Sequence, residues 1–149
     1  PFLRSQVCPT RPRALALVQR YHRVRLVFAR NNTMTKTAGH CFCGAVTFAY
    51  SGPHTWACYF HCTDCRRNCA GPVVAFLGTP LDGFDWTGQT PKQYYSSKGV
   101  TRHFCDTCGT PMAFQADHYT GEIHLHAATL TNPTEFKLNS HVYYDSRLP

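Results

Sequence analysis

The sequence predicts an all-β domain, and three observations support this fold class. Short runs rich in β-branched and aromatic residues recur after residue 39, and glycine, proline or asparagine lies between them. No segment after residue 40 keeps the 3.6-residue apolar period of a long helix. Two close cysteine pairs, far apart in the chain and each followed by glycine, indicate a metal that joins distant strands.

The strands are predicted in chain order from these runs and the turns that separate them. They cover residues 45–50, 55–60, 73–77, 81–86, 93–97, 102–104, 111–115, 122–127 and 141–144. Gly52-Pro53 ends the first strand, and Thr87-Gly88 forms the turn after the fourth. Residues 122–127 alternate polar and apolar side chains, which is typical of a half-buried strand.

Charge divides the chain into two parts. Of the 149 residues, the first 36 hold eight basic side chains and no acidic one, and the rest hold seven basic against eight acidic. The basic excess therefore belongs to an N-terminal extension, residues 1–33, followed by a domain at residues 34–149. We expect no nucleic-acid binding from that domain.

The extension bears on localisation. An arginine-rich, acid-free segment has the composition of a transit peptide, which would indicate a mitochondrial protein. Alternatively, the extension is not native sequence of the domain, because Met34 resembles an ordinary translation start. The protein is then expected in the cytoplasm. No apolar run approaches the about 20 residues of a membrane span, so we expect no membrane partner.

Four cysteines predict a closed metal site. Cys41 and Cys43 lie on one face of an extended segment, and Cys105 and Cys108 form a turn that Gly109 allows to fold around a metal. Four thiolates satisfy zinc tetrahedrally without an open position, so this site is expected to be structural. The alternative is four ordinary buried cysteines. Disulfides are less expected, because the chain lacks a secretory segment and has an odd number of cysteines, nine.

Three segments, in this order, carry a family resemblance. They are Gly39-His40-Cys41-Phe42-Cys43-Gly44-Ala45-Val46-Thr47-Phe48, His61-Cys62-Thr63-Asp64-Cys65-Arg66-Arg67 and Ser96-Ser97-Lys98-Gly99-Val100-Thr101-Arg102-His103-Phe104-Cys105-Asp106-Thr107-Cys108-Gly109. Over residues 36–149 the chain resembles the glutathione-dependent formaldehyde-activating enzymes, a family that includes the centromere protein V group. The resemblance implies a β-tent fold of packed antiparallel sheets and a structural zinc on Cys41, Cys43, Cys105 and Cys108.

The resemblance also implies a second, catalytic zinc held by a C-x-C-x-x-C group, which acts on glutathione and formaldehyde to give S-hydroxymethylglutathione. Cys62 and Cys65 match the last two cysteines of that group, but Phe60 stands at the first. Cys69 could replace it if one helical turn follows Cys65.

Two other replacements remain open. They are Cys58, on the same strand face as Phe60, and the adjacent His61. With none of them, no second zinc binds, because two thiolates hold zinc poorly.

Basic and histidine side chains supply further candidates. Arg66, Arg67 and Arg102 could bind an anion such as a carboxylate, or lie in solvent. His124 and His126 share a strand face and are candidates for acid–base catalysis or metal binding, or lie on a half-exposed sheet face.

These residues lead to three hypotheses. The first is a zinc-containing carbon–sulfur lyase that acts on S-hydroxymethylglutathione or a related small molecule, with Cys62, Cys65, Arg66, His124 and His126 as catalytic candidates. The second is another small-molecule lyase, a dehydratase, decarboxylase or isomerase, that uses the histidines. The third is a non-catalytic zinc module for protein or chromatin interaction. Nucleotide-binding motifs are absent from the sequence.

Overall fold

The computed structural model describes residues 36–149, in which ten strands form two sheets. The strands are β1 Lys36–His40, β2 Thr47–Ser51, β3 Trp56–Phe60, β4 Val74–Pro80, β5 Phe84–Trp86, β6 Lys92–Ser97, β7 Val100–Phe104, β8 Pro111–Ala116, β9 Glu122–His126 and β10 Ser140–Val142. The predicted all-β class with packed antiparallel sheets is confirmed. The extension at residues 1–33, with Cys8, lies outside the described residues, so the domain boundary stays a prediction.

The smaller sheet has the order β1-β2-β5, with both pairings antiparallel. In β2, alternate side chains turn inward, and Phe48 and Tyr50 are buried in the core. The pattern of β1 did not predict a strand, since Lys36–His40 holds few β-branched residues. The strand forms because β2 pairs with it over its whole length, with Gly39 opposite Phe48.

The larger sheet has the order β10-β3-β4-β9-β8-β7-β6. Its pairings are antiparallel except that of β10 with β3, which is parallel and places Ser140 opposite Cys58. β10 ends earlier than predicted, because Tyr143 adopts a left-handed conformation at φ 56° and a short 3-10 helix, Tyr144–Ser146, follows. This chain end lies beside the end of β3.

A short helix, α1 Thr63–Cys69, connects β3 to β4. Cys62 precedes it and Ala70, at φ 50°, ends it in the left-handed conformation. The helix therefore presents Cys65 and Cys69 one turn apart, as the spacing predicts. Among residues 36–149, no helix is long and apolar enough to cross a membrane.

Two apolar clusters fill the interior. The main core lies between the sheets and includes Phe48, Leu77, Met112 and Leu125. A smaller cluster beneath α1 consists of Cys65, Val74 and Phe76, with Trp56, Phe60, Cys62, Cys69 and Phe114 packed around it. This second cluster forms the aromatic wall of the cleft described below.

β9 is buried on both faces, and the prediction of a half-buried strand is wrong. Ile123 and Leu125 face the main core, while His124 and His126 are 3% and 6% exposed on the other face. The physical reason is that β9 lies in the middle of the sheet, between β4 and β8, and aromatic rings cover its second face. Alternation in sequence separates two environments but does not say that one is solvent.

Gly78 in β4 provides a test of the packing beneath the small cluster. A Cβ at this position would meet the Trp56 ring and the Glu122 carboxylate. We expect Gly78→Ala to lower the free energy of unfolding by about 1–3 kcal/mol, because overpacking forces side chains out of place. Urea unfolding measures the change.

The matched control is Gly71→Ala, where the nearest heavy atom beyond the adjacent residues is the Val73 carbonyl oxygen, 3.5 Å from the added Cβ. Its unfolding free energy should change by less than about 0.5 kcal/mol. Equal effects of the two substitutions would contradict this packing.

Candidate metal site and cleft

Two turns bring four thiols together. Cys41 and Cys43 lie in the turn between β1 and β2, and Cys105 and Cys108 lie in the turn between β7 and β8. All four Sγ atoms lie within 4.8 Å of one another, with 3.5 Å from Cys41 to Cys43 and 3.7 Å from Cys43 to Cys105. A tetrahedral zinc thiolate site has S···S separations of ~3.8 Å, since each Zn–S bond is ~2.3 Å. The four cysteines could therefore hold a metal ion.

The surrounding backbone stabilises thiolates at this site. The Val46 amide donates to Cys41 Sγ at 3.3 Å, and Thr110 Oγ1 lies 3.1 Å from Cys108 Sγ. The hydrogen bond from the Thr110 hydroxyl is the main cause that lowers the pKa of Cys108 to about 5. Gly109, at φ 74°, allows the tight turn around the thiols. Four thiolates leave no open position, so a metal here would be structural.

A cleft of about 550 Å³ lies beside α1, and Val100 and Arg102 of β7 contribute to its wall. One side is formed by Cys62, Cys65 and Asn68 of the helix region, and the other by strands β6, β7 and β9. Its further lining residues are Phe60, Asp64, Arg67, Phe76, Tyr94, Ser96, Ser97, Val100, Arg102, Phe114, His118, Tyr119, His124 and Tyr143. Sequence spacing gave no signal for Tyr119, because only the fold brings the β8–β9 turn to this cleft.

Cys62 and Cys65 differ sharply in acidity. The pKa of Cys62 is lowered to about 6, first by the hydrogen bond from the Cys65 thiol and then by backbone amides at the start of α1. The hydrogen bond to Cys62 and burial raise the pKa of Cys65. Near pH 7 the pair therefore consists of a thiolate at Cys62 and a thiol at Cys65.

Within residues 36–149, the structure brings no third ligand to this pair. Phe60 occupies the family position with its ring 5.3 Å from Phe76. Cys69 Sγ lies instead 3.8 Å from His126 Nδ1, on the side of α1 that faces β9. The remaining two alternatives are also engaged elsewhere. Cys58 Sγ lies 2.9 Å from Ser140 Oγ, and His61 Nε2 lies 3.0 Å from His141 Nδ1.

Two thiols do not fit a catalytic zinc, which needs three protein ligands. Over the described part of the chain, the Cys41, Cys43, Cys105 and Cys108 group is the only set of three or more potential ligands close enough to share a metal.

The two histidines of β9 occupy different places. His124 lines the cleft, where its ring stacks on Phe114 at 5.4 Å and its Nε2 lies 3.7 Å from Glu122 Oε2. His126 lies behind the cleft wall, 4.4 Å from the Phe76 ring. Burial and then the charge of Arg102 lower its pKa to about 3, so it is neutral. Of these two histidines, only His124 lines the cleft.

The three candidate arginines also lie in different positions relative to the cleft. Arg66 donates to the carbonyl oxygens of His61 and Ser146, at 3.0 and 2.8 Å, and so ties α1 to the C-terminal segment outside the cleft. Arg67 lies exposed at the cleft rim. Arg102 is 9% exposed and lies at the cleft wall. The structure thus places Arg102 in the cleft wall, Arg67 in solvent at the rim, and Arg66 outside the cleft.

Loss of one thiol should test the four-cysteine site. We expect Cys105→Ala to lower the free energy of unfolding by more than about 4 kcal/mol, because loss of a structural metal belongs to the largest single-site effects. A chelator should destabilise the wild type and leave the variant unchanged in urea unfolding.

The control for that substitution is Cys58→Ala, which removes a buried thiol outside the site. It should cost about 1 kcal/mol and keep its response to the chelator. Equal destabilisation by both substitutions would contradict a metal-bound tetrad.

The Cys62 thiol provides a second test. Its alkylation by iodoacetamide should rise with pH through about 6 and then level off, because the thiolate is the reactive form. Cys65→Ala should move that inflection to higher pH, since the hydrogen bond to the thiolate is lost. Mass spectrometry of the alkylated peptides measures both rates.

Cys69 serves as the internal control, since burial raises its pKa. It should react more slowly than Cys62 at every pH below 8. An inflection for Cys62 near the usual thiol value would refute the assigned hydrogen bond.

Comparison with known proteins identifies relatives of this chain. The model of the family described as glutathione-dependent formaldehyde-activating enzyme matches residues 36–146. A Schizosaccharomyces pombe protein described as an uncharacterized lyase is 32% identical over 83 residues, which are 54% of this chain and 58% of that protein. The chain thus matches less than two thirds of that relative's length.

A solved structure shares the fold. The crystal structure of a Rhodobacter sphaeroides protein is similar with a TM-score of 0.57 and 21% identity, over 70% of this chain and 99% of that one. The resemblance seen in the sequence is confirmed: the chain belongs to the glutathione-dependent formaldehyde-activating enzyme family.

Proposed function

We propose that the protein is a carbon–sulfur lyase that forms and cleaves the adduct of a small thiol with an aldehyde, of which S-hydroxymethylglutathione is the leading candidate. The family match and the lyase relative support this class of enzyme. The observation that carries the proposal is the acidic thiol of Cys62 in a cleft of about 550 Å³, a size typical of small-molecule sites.

The metal in this proposal is a single structural zinc on the four-cysteine site. A closed set of four thiolates offers no position for a substrate, so the zinc stabilises the fold and takes no part in the reaction. The cleft contributes only two thiols, and no step there is assigned to a metal.

Cys62 acts as the proton carrier. In the cleavage direction its thiolate accepts the hydroxyl proton of the adduct, the O–H electron pair forms the carbonyl, and the C–S bond breaks. The departing thiolate then takes the proton from Cys62. The reverse sequence forms the adduct. A pKa of about 6 suits this role, because a general base works best when its pKa lies near the working pH.

The aromatic wall supports the chemistry. Phe60, Phe76 and Phe114 cover one side of the cleft and present an apolar surface to the reacting atoms. Hydrogen bonds and charges act more strongly on a substrate in such a site than in bulk solvent. Phe60, which replaces a family cysteine, thus contributes to the wall.

His124 favours a second candidate function. Its imidazole lines the cleft, its Nε2 has no hydrogen-bond partner among the described residues, and the Glu122 carboxylate 3.7 Å away could stabilise its protonated form. The protein would then be a dehydratase, decarboxylase or isomerase for a small molecule without a thiol. His124→Gln would abolish that activity.

Exchange NMR with ¹³C-formaldehyde and glutathione tests the leading proposal. The wild type should speed exchange between free formaldehyde and the adduct above the spontaneous rate, and Cys62→Ser should reduce the enzymatic part on the order of 100-fold. Cys58→Ala, outside the cleft, should keep it.

Two outcomes would count against the proposal. No acceleration by the wild type would exclude glutathione and formaldehyde as substrates and favour the histidine-based candidate. Acceleration that persists in Cys62→Ser would show that another group carries the proton.

A further inference from the structure

We propose that Arg102 forms an anion subsite that binds a carboxylate of the substrate next to the reacting thiol. The inference deepens the proposed function, because it uses the same cleft and states what kind of molecule enters it. It stands on the position, the hydrogen bonds and the missing counter-charge of this one side chain.

Backbone and neighbours fix the Arg102 head group. The residue lies in β7 between β6 and β8, where it pairs with Tyr94 on one side and Phe114 on the other. Its Nε donates to Ser96 Oγ at 3.2 Å, and the guanidinium lies over the Phe114 ring, 5.4 Å from its centroid. The planar group is therefore held in one orientation before any ligand arrives, which reduces the entropy cost of binding.

One edge of the guanidinium lacks a partner. Nη1 is buried and has no hydrogen-bond partner in the structure, and in the described chain no carboxylate lies within ion-pair distance of Arg102. A buried cation without a counter-ion is costly, and natural proteins pair such groups. Asp64 also lines the cleft, but it lies exposed and makes no ion pair with Arg102.

The titratable groups around Arg102 do not supply the missing charge. Cys65 and Cys69 both have a raised pKa, the first through its hydrogen bond to Cys62 and burial, the second through burial. His126 is neutral because burial lowers its pKa. All three groups are uncharged near pH 7, and the negative charge of the Cys62 thiolate lies one hydrogen bond further away, beyond the Cys65 thiol. In the described chain no carboxylate pairs with the guanidinium, so an anion in the cleft can still do so.

The position of Arg102 limits the ligand. Its side chain interacts with the Cys65 thiol, which hydrogen bonds to Cys62. A carboxylate on the guanidinium thus lies close to the reacting sulfur, and Ser96, Ser97 and Asn68 provide further polar groups on the cleft wall. The substrate class is a small thiol adduct that bears a carboxylate. Arginine binds such a group with two parallel hydrogen bonds.

An inert pair of probes tests the subsite without any turnover. (Methylthio)acetate and (methylthio)acetamide have the same shape and differ in the charge that Arg102 would bind. We expect the wild type to bind the carboxylate at least about tenfold more tightly, the range of a hydrogen bond to a charged group. Titration followed by protein ¹H–¹⁵N NMR, including the Arg102 Nε–H signal, gives both dissociation constants.

Variants assign the preference to Arg102. Arg102→Gln should remove the difference between the probes and leave the affinity for the amide unchanged, while Arg102→Lys, which keeps the charge, should retain part of it. Arg67→Gln is the matched control, because Arg67 is an exposed arginine at the rim of the same cleft and should matter little.

Three results would overturn the subsite. They are equal binding of both probes by the wild type, a preference that survives Arg102→Gln, and a preference that is lost in Arg67→Gln instead. Because the probes do not react, a failure of the lyase activity in the exchange experiment leaves this result intact. A carboxylate preference without glutathione turnover would support the subsite and direct the search to other carboxylated substrates.

Discussion

The structure depends on the contact among four thiols at Cys41, Cys43, Cys105 and Cys108. Two of them lie in the turn that follows the first strand of the small sheet, and two lie in the turn that follows β7 in the large sheet. A metal on these thiols would join sheets whose turns are about 60 residues apart in sequence, so it would replace contacts that a small core cannot supply.

The cleft depends on the same constraint. Arg102 lies three residues before Cys105, so a fixed turn at Cys105 also fixes β7 and the direction of the arginine. On the opposite side, α1 holds Cys62 and Cys65 against Phe76 of β4. One wall therefore supplies a cation and the other a thiolate, with aromatic rings between them. In this arrangement the four-cysteine site and the cleft are separate, so a metal bound at the first would not touch a ligand in the second.

Local spacing predicted much of this site, and tertiary contacts decided the rest. The pairs Cys41–Cys43 and Cys105–Cys108 could be predicted as metal ligands from the sequence, because a metal needs ligands at short, fixed separations. The spacing also predicted the helical turn between Cys65 and Cys69. It did not predict how the helix is rotated about its axis, which places Cys69 beside His126. From the sequence, Arg66 and Arg102 were equal candidates for anion binding. Only the hydrogen bond from Arg66 to the Ser146 carbonyl oxygen shows that Arg66 holds α1 in place. The sequence alone showed that the third ligand of the family's catalytic zinc is missing, because Phe60 stands at that position.

The central claim is that the chain has one closed metal site and a cleft that works through its own side chains. Native mass spectrometry of the zinc-loaded protein tests it most directly, because it counts the metal ions bound to each folded chain. The account predicts one zinc ion per chain, and the same count for Cys62→Ala. Two zinc ions in the wild type, with one lost on that substitution, would contradict it and assign a metal to the cleft.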